Sequence, residues 1–405
     1  MKKTILAVLS LSLVVLGTTA QDLEIGGSLR SRTSFGWETG QVHETRQILS
    51  LNLDYRGQDG YLHASPYATI DPRINPTDGL VNAPDLGVRE AYIDLFFPSL
   101  DLRFGKQAIF WGQAEGAFIT DMVSPQDLGS FILADFDEIR IGVPAIKALL
   151  YTGPLTFEAV WVQRFIPTVL PASGSLWRTN SMPNLGSAVV PSANLENSEI
   201  FGRVSFFSPL LTFDLMGGYA WDDLPAAQGS PASPTLMYHR SPMAGAVAST
   251  SLGPFVVRGE GAVAFDKHYT SLVPGMPPSL IPRTHQLIQG LGGLDWTLAG
   301  FNMSAQYLVQ HIVDFQNNLM NQRETTHTGT FRVSHNFLDD RLSASIFAYL
   351  GFDPLDSLIR PKVSYSLEDG LEAAFSTDLF IGDTAGRFGA YADRSQGTFS
   401  LRWSF

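Results

Sequence analysis

Apolar and polar side chains alternate with a period of two along most of this chain. Between Gln47 and Tyr55, Leu49, Leu51, Leu53 and Tyr55 fall on one side, and Ser50, Asn52 and Asp54 on the other. Between Val88 and Phe97, Ala91, Ile93, Leu95 and Phe97 oppose Glu90, Tyr92 and Asp94. Leu155, Phe157, Ala159 and Trp161 oppose Thr156 and Glu158, and the rhythm returns over 211–221, 301–310, 342–350 and 371–381. Successive side chains of a strand point to opposite faces, so each segment predicts a strand with one apolar and one polar face.

The connections separate a membrane barrel from a soluble sandwich. Very short ones, such as 56–60, 98–100, 153–154, 208–209, 253–254, 299–300, 338–340 and 368–370, alternate with longer ones near 71–87, 108–141, 166–195, 222–235, 266–284, 315–325, 351–357 and 382–395. Short turns at one end and long loops at the other are the outer-membrane barrel pattern, and the segments number about 18, an even count as that class requires. The last segment carries Phe399, Leu401, Trp403 and Phe405 on one face and ends on an aromatic residue. It looks like the terminal strand read by the barrel assembly machinery. An even count returns Phe405 to the side where the first strand starts, so first and last strands can pair. Closure matters because lipid satisfies no open sheet edge.

The N-terminus agrees. Lys2 and Lys3 precede an apolar run from Ile5 to Gly17, and Thr18-Thr19-Ala20 supplies small residues for cleavage. That is the pattern of a secretory signal peptide over 1–20, leaving 21–405 as one barrel domain. Beyond it no stretch of about 18 apolar residues occurs, which excludes a helical membrane protein. The chain has no Cys, so disulfides and thiolate metal sites are excluded. Without Lys2 and Lys3, 25 basic face 39 acidic side chains, a net of −14, which does not suit nucleic acid.

In a membrane barrel the polar face points inward. Here it carries Arg30, Arg32, Arg103, Arg203, Arg258, Arg332 and Arg360 beside Glu44, Asp54, Asp94, Glu158, Glu260 and Asp378. The near balance of signs predicts cross-strand pairs that brace the wall. Inward positions at Ala262, Ala264, Leu287, Leu291, Phe347, Ala374 and Phe380 are small or apolar and leave room for a loop inside or an apolar solute. His327 and His335 fall on the outward face, Ser334 on the inward one, and no histidine has metal spacing, so neither a nucleophilic site nor a metal site is expected.

The connection 108–141 is the least ordinary. It holds Phe110, Trp111, Phe118, Ile119, Met122, Val123, Phe131, Ile132, Leu133 and Phe136, too apolar for a loop bathed in water. Ser124, Pro125 and Asp127 read as a helix start, with Leu128, Phe131 and Ile132 on one face. A short amphipathic helix on a loop folded into the barrel is therefore expected; a lid packed on other loops is the other arrangement. Either restricts the pore.

The stretch Phe104-Gly105-Lys106-Gln107, then Phe110-Trp111-Gly112, then Val123-Ser124-Pro125-Gln126-Asp127-Leu128 resembles a group of uncharacterised bacterial outer-membrane barrels, a domain of unknown function. These look like distant relatives of the alginate-export and fatty-acid-transport barrels. Gly382-Asp383 and Phe388-Gly389 are similar to the last loop of the group, while Ser124 and Gln113 depart from its pattern. The resemblance implies passage of hydrophobic or lipid-like molecules, often beside an inner-membrane exporter of the RND type. The residues and the resemblance together predict a non-enzymatic outer-membrane channel for hydrophobic or amphipathic small molecules, without cofactor, in contact with outer-membrane lipid and gated by 108–141. The alternative is a diffusion porin for small hydrophilic solutes. Candidate constriction residues are Lys106, Gln107, Trp111, Phe118, Asp121, Phe131, Arg140 and Arg164, with Lys106, Arg140 and Arg164 as a small basic eyelet in the porin case.

Overall fold

The computed structural model describes residues 23–71, 85–136, 138–179, 182 and 188–405; the segment 1–20, expected to be a signal peptide, most of the expected loop near 71–87 and Asp137 lie outside them. The wall strands are β1 (Leu23–Gly36), β2 (Val42–Arg56), β3 (Gly60–Ile70), β4 (Asp85–Phe97), β5 (Leu100–Gln107) and β6 (Val143–Thr152). They continue as β7 (Leu155–Val162), β8 (Glu199–Phe207), β9 (Thr212–Trp221), β10 (Arg240–Leu252), β11 (Phe255–Val273) and β12 (Ser279–Leu298). The circuit ends with β13 (Phe301–Ile312), β14 (Thr325–Phe337), β15 (Leu342–Phe352), β16 (Leu355–Glu368), β17 (Leu371–Gly382) and β18 (Gln396–Ser404).

Each strand pairs antiparallel with the next, and β18 pairs back onto β1 from Ser28 opposite Ser404 to Gly36 opposite Gln396. The Phe405 N–H donates to the Gly27 carbonyl at 3.0 Å and the Phe405 carbonyl accepts from the Gly27 N–H at 2.9 Å, completing the seam. The result is a closed barrel of eighteen strands, as the alternation predicts. Its outer face is apolar: Ile25, Ile93, Phe157, Leu215, Tyr307, Ile346, Phe399 and Trp403 are exposed there. The His335 ring packs between Phe301 and Phe337, with centroids 4.4 Å from each, so it faces outward as its parity requires.

Two connections expected to be long are turns. β11 and β12 run on to Val273 and Ser279 after a bulge between Ala264 and Lys267, so the loop near 266–284 shrinks to 274–278. β15 and β16 meet at Asp353-Pro354. The extended part of β11 is met by neighbouring chain: Thr270 Oγ1 accepts from the Ala227 amide, on a hairpin formed by Ala226–Ser230 and Ser233–Met237.

Inside the wall, charges pair across strands. Arg103 holds Asp94 through two bonds at 2.6 and 2.8 Å, Arg203 holds Glu158 at 2.6 and 3.0 Å, and Arg360 holds Asp378 at 2.9 Å. The inward apolar positions receive the 108–141 segment. Ala262 and Leu291 pack on Ala114, Ala117 and Ile119, while Phe380 packs with Phe131, Ile132 and Leu133.

Candidate functional site

The 108–141 segment leaves the end of β5, where the backbones of β4 and β5 approach closely. Gly105 has φ +134°, and a Cβ there would lie 2.2 Å from the Ala91 carbonyl, so only glycine fits this strand end. Gln107 is fully buried and donates from Nε2 to the Ala145 carbonyl at 3.1 Å. Lys106 Nζ donates to the Val88 carbonyl at 2.6 Å. Both side chains fasten the loop's root to adjacent strands.

From there the segment crosses the lumen and is tied to strands on opposite sides. Trp111 is buried and its indole N–H donates to Glu158 on β7 at 3.2 Å. Glu260 on β11 accepts from the Gln113 amide at 2.6 Å and from Thr120 Oγ1 at 2.8 Å. Arg258 donates to the Gln113 carbonyl at 2.6 Å, and Arg332 on β14 pairs with Glu115. Tyr349 on β15 donates to the Gly116 carbonyl at 3.1 Å; Gly116 has φ +76°, and a Cβ there would collide with that hydroxyl. Arg360 on β16 donates to the carbonyls of Ile132 and Leu133 at 3.3 and 2.8 Å. Arg30 on β1 holds Asp135 and Glu138 at 3.2 and 2.5 Å. Partial burial raises the pKa of Asp135, but the facing charges of Arg30, Lys362, Arg32 and Arg360 outweigh it and hold this carboxyl below the usual range.

The helix expected near Ser124 does not form. The Ser124 hydroxyl accepts from the Ile109 amide at 2.8 Å instead of capping a helix. Asp127 Oδ1 accepts from the Gly129 amide at 2.9 Å in a local turn that competes with helix. The Asp127, Leu128 and Ile141 amides donate to carbonyls of Ile139, Val169 and Pro125, so the segment folds back on itself and on 165–169. Gly129–Ile132 is extended, and Phe131 stands at φ +56°, a left-handed conformation that ends any helix and is held by packing against Phe380, Phe388 and Tyr391.

Of the predicted constriction residues, the fold brings four together. Asp121 accepts from the Trp111 and Gly112 amides at 2.8 Å each and pairs with Arg140, whose guanidinium lies over the rings of Phe110 and Phe118 at 4.4 and 4.9 Å. Trp111, Phe118, Asp121 and Arg140 are thus one cluster. Phe131 belongs to a different one, with Trp177 and Tyr391. Arg164 lies exposed just past β7. The basic eyelet of Lys106, Arg140 and Arg164 therefore does not assemble: Arg140 is neutralised by Asp121, Lys106 is turned onto a carbonyl, and Arg164 is elsewhere. Sequence reasoning had Glu260, Arg360 and Arg30 as lumen charges but missed them as loop anchors. Parity fixed their face; nothing in the sequence said which would turn to the loop.

A cavity of about 170 Å³ lies between Gly116–Ile119 and the inner faces of β12–β15. Gln289, Gln306, Gln310, Thr328 and Thr330 contribute its polar lining, and Leu291, Leu308 and Phe118 its apolar lining.

The profile of a family described as a protein of unknown function, DUF1302, matches residues 55–405. The chain belongs to the DUF1302 family. No curated protein matches this DUF1302 member in sequence. Solved barrels of similar fold include Acinetobacter baumannii OccAB4, 10% identical with TM-score 0.57, covering 95% of this chain and 98% of that one. Pseudomonas aeruginosa OccK2 (OpdF) in complex with glucuronate is 11% identical, with TM-score 0.55 and coverage of 95% and 98%. Pseudomonas aeruginosa OpdK with vanillate is 10% identical, with TM-score 0.53 and coverage of 95% and 99%. At these identities the likeness is one of fold: the DUF1302 chain has the architecture of outer-membrane channel barrels.

Proposed function

We propose that this DUF1302 protein is an outer-membrane channel narrowed by its 108–141 segment, passing small solutes selectively. The observation that carries this is the anchoring of one loop to β1, β7, β11, β14, β15 and β16, which lie around the whole circuit of the wall. A loop so tied narrows the cross-section wherever it lies.

The solute reading that fits best is a small hydrophilic or amphipathic organic molecule. The expected lipid-like solute drew on the loop's apolar residues, the balanced lumen and the resemblance, and of those residues Trp111, Val123, Ile132 and Leu133 are buried against the wall or other loops. Glucuronate and vanillate, bound to the barrels of similar fold, are solutes of this small organic kind. An inner-membrane RND-type exporter as partner, and entry of the chain into the membrane through its Phe405 end, remain parts of this reading that rest on the resemblance and the terminal pattern.

Removing 116–135 tests the constriction. The expected result is a several-fold rise in single-channel conductance of the refolded barrel in a planar bilayer. A deletion variant that folds, by heat-modifiable mobility, yet conducts no better than the parent would refute it. N-terminal sequencing of the mature protein should begin at Gln21.

A further inference from the structure

The cavity under Gly116–Ile119 has an unusual polar composition. Gln289, Gln306 and Gln310 stand on adjacent strands of its floor, with Gln289 directly opposite Gln310 and Gln306 opposite Thr330. Among the described residues no Asp, Glu or Lys lines it. The one formal charge among its described lining residues is Arg387, an exposed side chain whose guanidinium lies over the rings of Phe131 and Phe388 at 6.0 and 5.5 Å.

Gln306 is 6% exposed, and neither its amide nitrogen nor its amide oxygen has a hydrogen-bond partner in the protein. A buried amide left unpaired loses its hydrogen bonds to water and gains none in return. Native interiors seldom carry such a group without a use. Gln310 is partly engaged, since its Oε1 accepts from Thr326 at 3.3 Å, which leaves its NH2 group for another acceptor. The floor therefore offers donors and acceptors together, from groups that carry no charge. Phe118, Leu291 and Leu308 supply an apolar wall beside them. The volume, well below the few hundred Å³ of a drug-sized site, admits a single small ring.

We propose that this cavity is a solute-binding subsite for a small neutral polyhydroxylated molecule, a sugar ring or polyol, with hydroxyls on the Gln306 and Thr330 groups and its C–H face on Phe118. Neutral amides serve hydroxyls in both senses, whereas an anion would find one exposed guanidinium and no second cation. The proposal rests on the channel reading for its biological meaning, but its binding test does not depend on conduction.

The experiment is saturation-transfer NMR on the detergent-solubilised full chain with glucose and glucuronate as probes, for the parent, Gln306→Leu, Thr330→Val and Arg387→Gln. The proposal expects transfer to glucose in the parent, a loss of at least fivefold in Gln306→Leu, a smaller loss in Thr330→Val, and little change in Arg387→Gln. Heat-modifiable mobility of each variant establishes that it is folded, and Thr330→Val keeps the test open if Gln306→Leu fails to fold. No transfer to glucose, or transfer to glucuronate alone that disappears in Arg387→Gln, overturns the proposal. Such a failure leaves the channel reading standing, while a 116–135 deletion that does not open the pore refutes the channel reading and leaves glucose binding to be judged on its own.

Discussion

Glu260 holds the first half of the inner loop at two points, and Glu260→Ala tests whether that loop narrows the lumen. Its carboxylate accepts the Gln113 amide at 2.6 Å and the Thr120 hydroxyl at 2.8 Å from the loop side. Hydrogen bonds to a charged group contribute about 1.5–3 kcal/mol each, so the pair holds the loop by roughly 3–6 kcal/mol. Water entering the truncated site returns part of this, and about 3 kcal/mol is a working value for the loss. Each 1.4 kcal/mol is tenfold in an equilibrium, so the released state of this half of the loop should rise by about 100-fold. Other anchors, Arg332 to Glu115 and Tyr349 to Gly116, stay in place, so the expected signal is flicker to larger conductance levels and not permanent opening. Glu260→Gln keeps one carbonyl acceptor and should fall between the two. The assay is single-channel recording, with the folded barrel verified by its mobility before and after heating. If Glu260→Ala is folded and records traces indistinguishable from the parent, either these bonds do not hold the loop or the loop does not limit conduction.

Acid should loosen the far half of the same loop. Asp135 has its pKa held below the ordinary carboxylate range by the facing cations, so its contribution is fully present above the unfolded value near 4 and is lost as pH falls through the lower folded value. Conductance noise recorded from pH 6 downward should therefore rise only below about pH 4, and Asp135→Asn should show it already at neutral pH. Arg140→Ala strips a buried partner from Asp121, and removing one member of such a pair costs about 3–5 kcal/mol; proteolysis of the loop in the folded barrel should become faster. Ile93→Arg puts a charge on the outer face and should destabilise the barrel by about 2–4 kcal/mol if that position is near the mid-plane of the bilayer, read as a drop in the urea midpoint in lipid vesicles.

The wall was legible in the sequence because a strand's side chains must alternate, and a one-residue error would send every apolar side chain of a segment to the wrong face. Leu49 to Tyr55, Ile93 to Phe97 and Phe399 to Phe405 therefore announce both their secondary structure and their facing, and the pairing of the last strand with the first follows from the count. The outward facing of His335 and the balanced inner charges follow from the same parity.

Local signals were weaker where the chain leaves the wall. Ser124, Pro125 and Asp127 have the composition of a helix start, yet in place their side chains and amides find partners at Ile109, Gly129, Ile139 and Val169. The extension of β11 and β12 beyond a bulge was equally hidden, since its polar residues are answered by a hairpin from another loop. The sequence by itself determined an all-β barrel of about eighteen strands with a segment too apolar to stay in water, because alternation and hydrophobicity are properties of single residues. Only the tertiary structure decided that this segment crosses the lumen without a helix, that Arg140 is neutralised by Asp121 while Arg164 stands apart, and that three glutamines meet under Gly116. Those outcomes depend on hydrogen bonds between residues up to 233 positions apart, for which no pattern along the chain provides a code.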